Sequence, residues 1–240
     1  MPIYRLIDLP LFPTPEDFED QEGVIAVGGD LSPQRLLSAY RQGIFPWYDD
    51  AEGPLLWWCP DPRLILRPER VKVSNSLRKT LKKDRFTVRT DTAFRAVIEN
   101  CAAPRGNDSM TWLHEAMQDA YEALHRLGFA HSIETWEGDR LVGGLYGVFL
   151  GRCFYGESMF SRENDASKVA LVGLCRMLQA HGVPLLDCQV YSDHMVSMGA
   201  EEIPRTAFLS ELKGLMKAQT DRDHWQVELP SAQLIERPKE

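Results

Sequence analysis

Two polar side chains interrupt an apolar run late in the chain and could do chemistry together. The run covers residues 185–190, and within it Asp187 and Gln189 stand two positions apart. Residues two apart on a β-strand point to the same face, so this carboxylate and this amide would lie side by side. A carboxylate in such a run needs a partner, which backbone donors can also supply. The residues alone leave a catalytic pair and a structural aspartate equally open.

Cysteine chemistry is the competing possibility. The five cysteines are odd in number and far apart, with no histidine at ligand spacing, so we expect free thiols without bound metal. Cys188 could form a thiol hydrolase with His194 and Asp193. On a strand, however, Cys188 would point away from Asp187 and Gln189, and nothing in the surrounding sequence favours its thiolate.

The charge distribution indicates a polyanionic partner even though the net charge is −8. Residues 63–95 hold eleven basic and three acidic side chains, a basic segment in an otherwise acidic chain. A solvated helix face is the plainer explanation for a charge run. In residues 74–83, however, Leu77 and Leu81 form a buried stripe at i, i+4, and four cations project beside it. This spacing suits backbone phosphates. The four cations are Arg78, Lys79, Lys82 and Lys83.

The elements that would position these groups follow from periodicity and turn residues. We predict a helix that is capped by Ser32 and ends at Gly43, a helix at 114–127, and antiparallel strands at 130–136, 141–150 and 152–156. A helix at 165–180, a strand at 185–190 and a helix at 205–218 complete the pattern. Composition changes near residues 95–110, where 101–109 is typical of a loop.

This order predicts an α+β protein with a smaller N-terminal domain, residues 1–95, and a C-terminal domain, residues 96–240, in which helices flank a mixed sheet. The element order of the second domain is that of the GNAT acyltransferase fold. That fold holds acetyl-CoA on a glycine-rich loop before a helix. The corresponding residues 161–168 contain no glycine, and they include Glu163 and Asp165. We therefore expect no CoA cofactor.

Most of the chain resembles one family. The segments GGDLSPQRLLSAYRQGIFPWY and LLWWCPDPR are followed, in the family's order, by HSIETW, LVGGLYGV, FYGESMFSR, NDASKVAL, LLDCQV and GAEEIPR. These segments are similar to those of the leucyl/phenylalanyl-tRNA–protein transferases of the bacterial N-end rule pathway. The resemblance implies transfer of Leu or Phe, less so Met, from aminoacyl-tRNA to the N-terminal Arg or Lys of acceptor proteins, which marks them for degradation.

The resemblance also implies roles for individual residues. Asp187 would orient Gln189, whose amide carbonyl would accept from the attacking amine. Glu157, placed at the end of the third predicted strand, would contact the donor's α-ammonium or the acceptor's N-terminal residue, although a surface glutamate is the plainer explanation. An apolar pocket would take the transferred side chain, and the cations of residues 78–83 would contact the tRNA acceptor stem. The pocket residues are Leu145, Phe154 and Leu174, with Trp47 and Trp112 as candidate walls, and each alone is equally compatible with ordinary core.

The remaining expectations concern location and partners. Residues 1–17 lack a signal peptide's basic start and apolar core, and no apolar run is long enough for a bilayer, so we expect a cytoplasmic protein. We also expect a monomer without a membrane partner. An RNA-binding module without enzymatic activity would explain the basic segment, but it would leave Asp187 and Gln189 without a purpose.

Overall fold

The computed structural model describes residues 3–14, 23–48, 53–104, 113–221 and 225–235. Within these ranges the chain forms a mixed α+β structure with two sheets. The helices are α1 (Pro33–Arg41), α2 (Asn75–Lys82), α3 (Phe94–Ala102), α4 (Glu115–Arg126), α5 (Ala166–Ala180), α6 (Asp193–Ser197) and α7 (Arg205–Leu215). The strands are β1 (Tyr4–Arg5), β2 (Val24–Val27), β3 (Phe45–Pro46), β4 (Leu56–Trp58), β5 (Arg63–Leu66), β6 (Thr87–Thr90), β7 (Ala130–Glu137), β8 (Arg140–Leu150), β9 (Cys153–Ser161), β10 (Leu185–Gln189), β11 (Glu201–Ile203) and β12 (Glu228–Pro230). No helix in these ranges has both the length and the apolar character that a bilayer crossing requires.

The smaller sheet has the strand order β1-β2-β4-β3 and carries the tryptophan-rich segment. Trp57 is fully buried, and its indole N–H donates to the Gly28 carbonyl at 2.9 Å. The buried Arg35 of α1 donates to the carbonyls of Ile7 and Leu9 at 2.9 and 3.0 Å. Ser32 caps α1 as predicted, because its side chain accepts from the Arg35 backbone N–H.

The larger sheet has eight strands in the order β11-β5-β10-β9-β8-β7-β6-β12. Its antiparallel centre is β7-β8-β9, and β10 adds in parallel to β9. Helices cover both faces: α5 and α2 pack on one, and α3, α4 and α7 on the other. Strands β5 and β6 precede residue 95 and still belong to this sheet, while the division of the chain at that residue stays a prediction.

The predicted third strand ends too early. β9 continues beyond Gly156 to Ser161, and Glu157 lies inside the strand instead of at its end. Between the pairs Gly147↔Gly156 and Tyr146↔Ser158 the register shifts, so Glu157 is the additional residue of a β-bulge. A bulge interrupts the period-2 pattern from which the strand end was read.

A second bulge lies on the neighbouring strand. The parallel pairing of β9 with β10 covers Cys153–Tyr155 and Leu185–Asp187. The register of β10 against β5 then shifts between Asp187 and Gln189, which makes Cys188 the additional residue. Two bulges at the same level re-aim the side chains that follow on both strands.

Candidate active site

A cavity of about 860 Å³ opens beyond the paired part of β9 and β10. One part of its wall is apolar, and the part near the start of α5 and α6 is polar. The apolar part contains Leu145, Met159, Leu171, Leu174 and Leu186. The polar part contains Glu157, Ser158, Ser161, Arg162, Ser167, Ser192 and His194. Volumes of roughly 300–1,000 Å³ are typical of small-molecule sites.

Glu157 is held at this cavity by three hydrogen-bond donors from three elements. The Tyr40 hydroxyl of α1 donates to Oε1 at 2.8 Å, and the Tyr121 hydroxyl of α4 donates to Oε2 at 2.7 Å. The amide nitrogen of Gln189 donates to Oε1 at 2.8 Å. The residue keeps part of its surface open to the cavity, while its carboxyl group is enclosed by these donors.

The environment of Glu157 favours its neutral form more than water does. Burial raises the pKa of Glu157 to about 7, although the hydrogen bonds from Tyr121, Tyr40 and Gln189 pull in the opposite direction. In the described part of the chain, no lysine, arginine or histidine lies within ion-pair distance of this carboxyl group. An acid of this kind can take up and release a proton near neutral pH.

Asp187 lies on the neighbouring strand in a different environment. It is fully buried and accepts from Arg63 Nε at 2.8 Å and from Arg63 Nη2 at 2.6 Å. The Arg63 guanidinium also lies over the rings of Phe45 and Phe208. Burial alone would lower the pKa of Arg63, but the Asp187 carboxylate reverses this and raises it. The pair is a bidentate ion pair without solvent contact.

Gln189 connects the two acids. Its backbone N–H donates to Asp187 Oδ1 at 2.9 Å, and its side-chain amide donates to Glu157. The backbone adopts a left-handed conformation with φ of 65°. Simple alternation, from which Asp187 and Gln189 were predicted to share a face, does not hold across this bulge. Asp187 therefore positions the backbone of Gln189, and the amide reaches the cavity wall through Glu157.

The structure places the predicted pocket residues differently from one another. Leu145 and Leu174 line the cavity. Phe154 is fully buried beside Trp225, with ring centroids 5.6 Å apart, and is absent from the cavity wall in the described residues. Trp47 is half-buried in the smaller sheet and packs on Trp58 at 5.6 Å. Trp112 lies outside the described residues.

The sequence interpretation missed Tyr40, Tyr121 and Arg63 as members of the site. Both tyrosines follow the apolar spacing of their helices, so the pattern assigns them to the core. Arg63 was counted with the basic segment, because a sequence does not distinguish a buried arginine from an exposed one. Their partners are 117, 36 and 124 residues away.

The thiol alternative finds no support in the geometry. Cys188 lines the cavity, but burial raises the pKa of its thiol well above the ordinary value. Its sulfur donates to the Leu186 carbonyl at 3.8 Å. A thiol of this kind is a poor nucleophile at neutral pH.

The basic segment divides into neutralised and free cations. Six arginines of residues 63–95 pair with acids, five of them with acids from beyond residue 100 only: Arg63, Arg67, Arg70, Arg85, Arg89 and, with Glu99 also among its partners, Arg95. The cations of α2 are exposed, and within the described ranges none has an ion-pair partner. Helix α2 has the predicted buried stripe, and the Ser74 side chain caps it by accepting from the Leu77 backbone N–H. Thr80 of α2 donates to Asp165 at 2.9 Å, so the helix lies beside the start of α5, which borders the cavity.

Comparison with known proteins agrees with the resemblance seen in the motifs. The family model described as leucyl/phenylalanyl-tRNA protein transferase matches residues 65–213, and the model of its N-terminal domain matches residues 29–61. A leucyl/phenylalanyl-tRNA–protein transferase of Nitrosomonas europaea is 53% identical over 91% of this chain and 92% of the relative. Relatives of the same name from Anaeromyxobacter sp. and Syntrophobacter fumaroxidans are each 52% identical over 95% of this chain and 97% of their own length. The chain belongs to the leucyl/phenylalanyl-tRNA protein transferase family.

Proposed function

We propose that this protein transfers leucine or phenylalanine, and less readily methionine, from aminoacyl-tRNA to the N-terminal arginine or lysine of acceptor proteins. The observation that carries the proposal is the cavity beyond the paired part of β9 and β10. This cavity combines an apolar wall with the enclosed carboxyl group of Glu157. The new N-terminal residue would mark the acceptor for degradation. Membership of the family supports aminoacyl transfer from tRNA to proteins as the class of reaction.

The apolar wall accounts for the choice of amino acid. Leu145, Leu174 and Leu186 present branched aliphatic surface without a hydrogen-bonding group. Such a pocket discriminates a methylene by only about 1 to 3 kcal/mol, so it accepts several apolar side chains of similar size. Phe154 lies in the same buried cluster as Leu145, Leu174 and Leu186. The cavity has room for the aminoacyl end of the donor and the first residue of an acceptor.

The polar wall accounts for the chemistry. The reaction requires an uncharged amine, an acceptor for its proton and correct placement of both substrates. Glu157 is the acid at the wall, and Gln189 is the amide beside it. Asp187 is a positioning residue in this scheme, since it binds the Gln189 backbone and is itself held by Arg63. Trp47 and Trp112 remain candidates for walls that stack on the terminal adenine.

Helix α2 would bind the tRNA. Arg78, Lys79, Lys82 and Lys83 are exposed and have no ion-pair partner among the residues that the structure describes, which favours sequence-independent contacts with backbone phosphates. The position of α2 next to the start of α5 would bring the acceptor stem close to the cavity. The exposed Arg162 lies at the cavity wall on this side.

We also propose a fold for residues 96–240. The antiparallel strands β7-β8-β9, the helix α5 and the parallel strand β10 support a GNAT-like acyltransferase arrangement for residues 96–240. Because the donor is aminoacyl-tRNA, we propose that the protein works in the cytoplasm without a CoA cofactor. We also propose that it is a monomer.

Charged tRNA provides the test. The protein is incubated with Leu-, Phe- or Met-tRNA and with peptides that begin with Arg, Lys or Asp, and the peptide products are identified by mass. We expect products with Arg and Lys peptides, with Leu and Phe preferred to Met. Exclusive modification of the Asp peptide would overturn the acceptor assignment. Binding of tRNA without any peptide-bond product would leave only the RNA-binding module.

Site variants test the assigned residues. Asp187→Ala and Gln189→Ala should each lower the transfer rate, and the circular dichroism spectrum checks that each variant is folded. If both retain the wild-type rate, the roles of Asp187 and Gln189 are wrong. Trp112→Ala should raise the Michaelis constant for Phe-tRNA, and an unchanged constant would exclude Trp112 from donor binding.

A further inference from the structure

Three oxygen atoms at the cavity wall form a closed triangle. The Tyr40 hydroxyl lies 2.8 Å from Glu157 Oε1, and the Tyr121 hydroxyl lies 2.7 Å from Glu157 Oε2. The two hydroxyl oxygens are themselves 2.9 Å apart. All three distances are those of hydrogen bonds between oxygen atoms.

The number of protons decides how this triangle is satisfied. Each tyrosine hydroxyl carries one proton, so a charged Glu157 leaves two protons for three contacts. Burial raises the pKa of both Tyr40 and Tyr121 well above the ordinary value, which keeps these two protons in place. A third proton on Glu157 fills the remaining contact: the carboxyl group donates to Tyr121, Tyr121 donates to Tyr40, and Tyr40 donates to Glu157. Each group then donates once and accepts once.

The charged form is also well supported, in a second pattern of the same atoms. Both hydroxyls then donate to the carboxylate, together with the amide of Gln189. The two patterns differ only in the rotation of hydroxyl groups and the presence of one proton, so no heavy atom has to move. This is the property of a group that exchanges protons rapidly within a fixed site.

Among the described residues, no cation lies within ion-pair distance of Glu157 to hold it in the charged form. From α1 and α4 it meets Tyr40 and Tyr121, and from β10 it meets Gln189. Asp187, which raises the pKa of Glu157, is the nearest charge on that strand and is neutralised by Arg63. Tyr146 of β8 packs its ring against Tyr121 at 5.3 Å, and its buried hydroxyl has no partner within the described ranges.

We propose that Tyr40, Tyr121 and Glu157 form a proton-transfer ring in which Glu157 takes the proton of the attacking amine and returns it to the leaving ribose oxygen. The proposal rests on the aminoacyl-transfer function given above. It assigns Tyr40 and Tyr121 as positioning residues that act through Glu157.

In this step, one proton passes from the attacking amine through Glu157 to the leaving ribose oxygen. The neutral amine of the acceptor attacks the ester carbonyl carbon, the C–N bond forms, and the carbonyl electron pair moves to oxygen. The proton that the amine loses binds the charged Glu157 and completes the ring. When the carbonyl reforms, the bond from carbon to the ribose oxygen breaks, and that oxygen takes the proton from Glu157. The products are the new amide and the free tRNA hydroxyl, and Glu157 returns to its charged form.

The test follows the titration of Glu157 directly. The full protein is labelled with ¹³C at the glutamate Cδ atoms, and the Glu157 signal is assigned as the one missing from Glu157→Gln. We expect a titration midpoint near neutral pH. Tyr40→Phe and Tyr121→Phe each remove a donor to the charged form, so each should raise the midpoint by about one pH unit, a tenfold change in proton affinity.

The rate profile supplies the second measurement. The acid limb of kcat/KM for Phe-tRNA should move to higher pH by the same amount in each variant that folds. Tyr146→Phe removes a hydroxyl of equal burial beside the ring and should leave the Glu157 midpoint unchanged. Two variants are used so that poor folding of one still leaves the other.

Several results would overturn the ring. One is titration of Glu157 in the ordinary range of a carboxylic acid, and another is an unchanged midpoint in both tyrosine variants. A midpoint that moves while the kcat/KM profile stays fixed would show a structural role only. Absence of transfer from any aminoacyl-tRNA would instead refute the proposed function, because the NMR titration needs no substrate.

Discussion

Asp187 and Glu157 are acids on neighbouring parallel strands, and the chain treats them in opposite ways. Asp187 faces a guanidinium group at 2.6 Å and is fully shielded from solvent. In the described part of the chain, the donors to Glu157 are neutral: two hydroxyls and one amide. Arg63 neutralises the full charge of Asp187, whereas the donors around Glu157 stabilise a negative charge that protonation can remove. A buried carboxyl group can therefore stabilise the fold as part of an ion pair or exchange a proton, depending on whether a cation lies beside it.

The largest effect should come from breaking the ion pair of Arg63 and Asp187. Arg63→Met keeps an unbranched apolar chain between Phe45 and Phe208 but leaves Asp187 as a buried charge without a cation. Loss of one partner of a buried ion pair typically costs about 3 to 5 kcal/mol. We expect a decrease of this size in the free energy of unfolding, measured by urea denaturation at neutral pH.

A double variant is the control for this experiment. Arg63→Met combined with Asp187→Leu removes both charges and should recover most of the stability, because an apolar pair can replace a buried ion pair at little cost. It should not recover transfer, since the Gln189 backbone N–H loses its acceptor. A single Arg63→Met variant as stable as the wild type would show that Asp187 does not depend on this cation.

The next largest effect should come from the protonation of Glu157. Glu157→Gln resembles the neutral acid in shape, so its stability relative to the wild type should depend on pH. The pKa of Glu157 rises from an ordinary 4.5 to about 7 because of burial, so the unfolded chain loses this proton at lower pH than the folded chain does. Wild-type stability therefore falls between about pH 4.5 and 7 by roughly 2 to 4 kcal/mol, and the glutamine variant escapes this loss.

The measurement is the difference in unfolding free energy between variant and wild type at pH 4 to 8. This difference should increase with pH in favour of Glu157→Gln. Glu163→Gln is the matched control of opposite sign, because Arg85 and Arg140 lower the pKa of Glu163. There the wild type gains stability as pH rises and the variant does not. A flat difference for Glu157→Gln would contradict the contrast between the two acids.

These contrasts show where sequence reasoning reaches its limit. Local signals predicted α4, α5 and the hairpin of β7 and β8 nearly to the residue, because periodicity, a glycine stop and a turn are encoded within one segment. The buried stripe and the cationic face of α2 were predicted on the same basis. The candidate acids were named too, through the motifs that contain them.

What the sequence did not predict is pairing over long separations. Tyr40 and Tyr121 are 81 residues apart and meet only because α1 and α4 pack on the same face of the sheet. Arg63 looked like a phosphate-binding cation until the fold placed it opposite Asp187. The two bulges also escaped prediction, since an additional residue in a strand changes the register without a distinct composition.

Gln189, which follows the bulge on β10, adopts a left-handed backbone conformation. Its φ of 65° is costly for any residue with a Cβ atom, and glycine avoids the cost. Gln189→Gly and Gln189→Ala lose the same amide contact with Glu157 and differ only in the Cβ atom. We expect the glycine variant to be more stable to urea by about 1 kcal/mol. Equal stability would show that the left-handed backbone of Gln189 is not strained by its contacts with Asp187 and Glu157.

The smallest effect should come from an ion pair of the same chemistry at the surface. Arg70 pairs with Glu201 at 3.1 Å, but the two side chains are 63% and 45% exposed. Exposed pairs contribute about 0 to 1 kcal/mol because water screens the charges, so Arg70→Ala should change the unfolding free energy by less than about 1 kcal/mol. The difference from Arg63→Met then measures what burial adds to one type of ion pair.

The same variant also separates the neutralised cations from those of α2. Arg70 is already paired with an acid, whereas Lys82 has no ion-pair partner in the described residues. A lysine that contacts a phosphate releases a counterion on binding, so Lys82→Ala should reduce the slope of log affinity for tRNA against log salt by about 1. Arg70→Ala should leave this slope unchanged, because Arg70 already forms an ion pair with Glu201 in the folded protein. Equal slopes for the two variants would mean that tRNA contacts the whole basic segment, with Glu201 giving up its partner on binding.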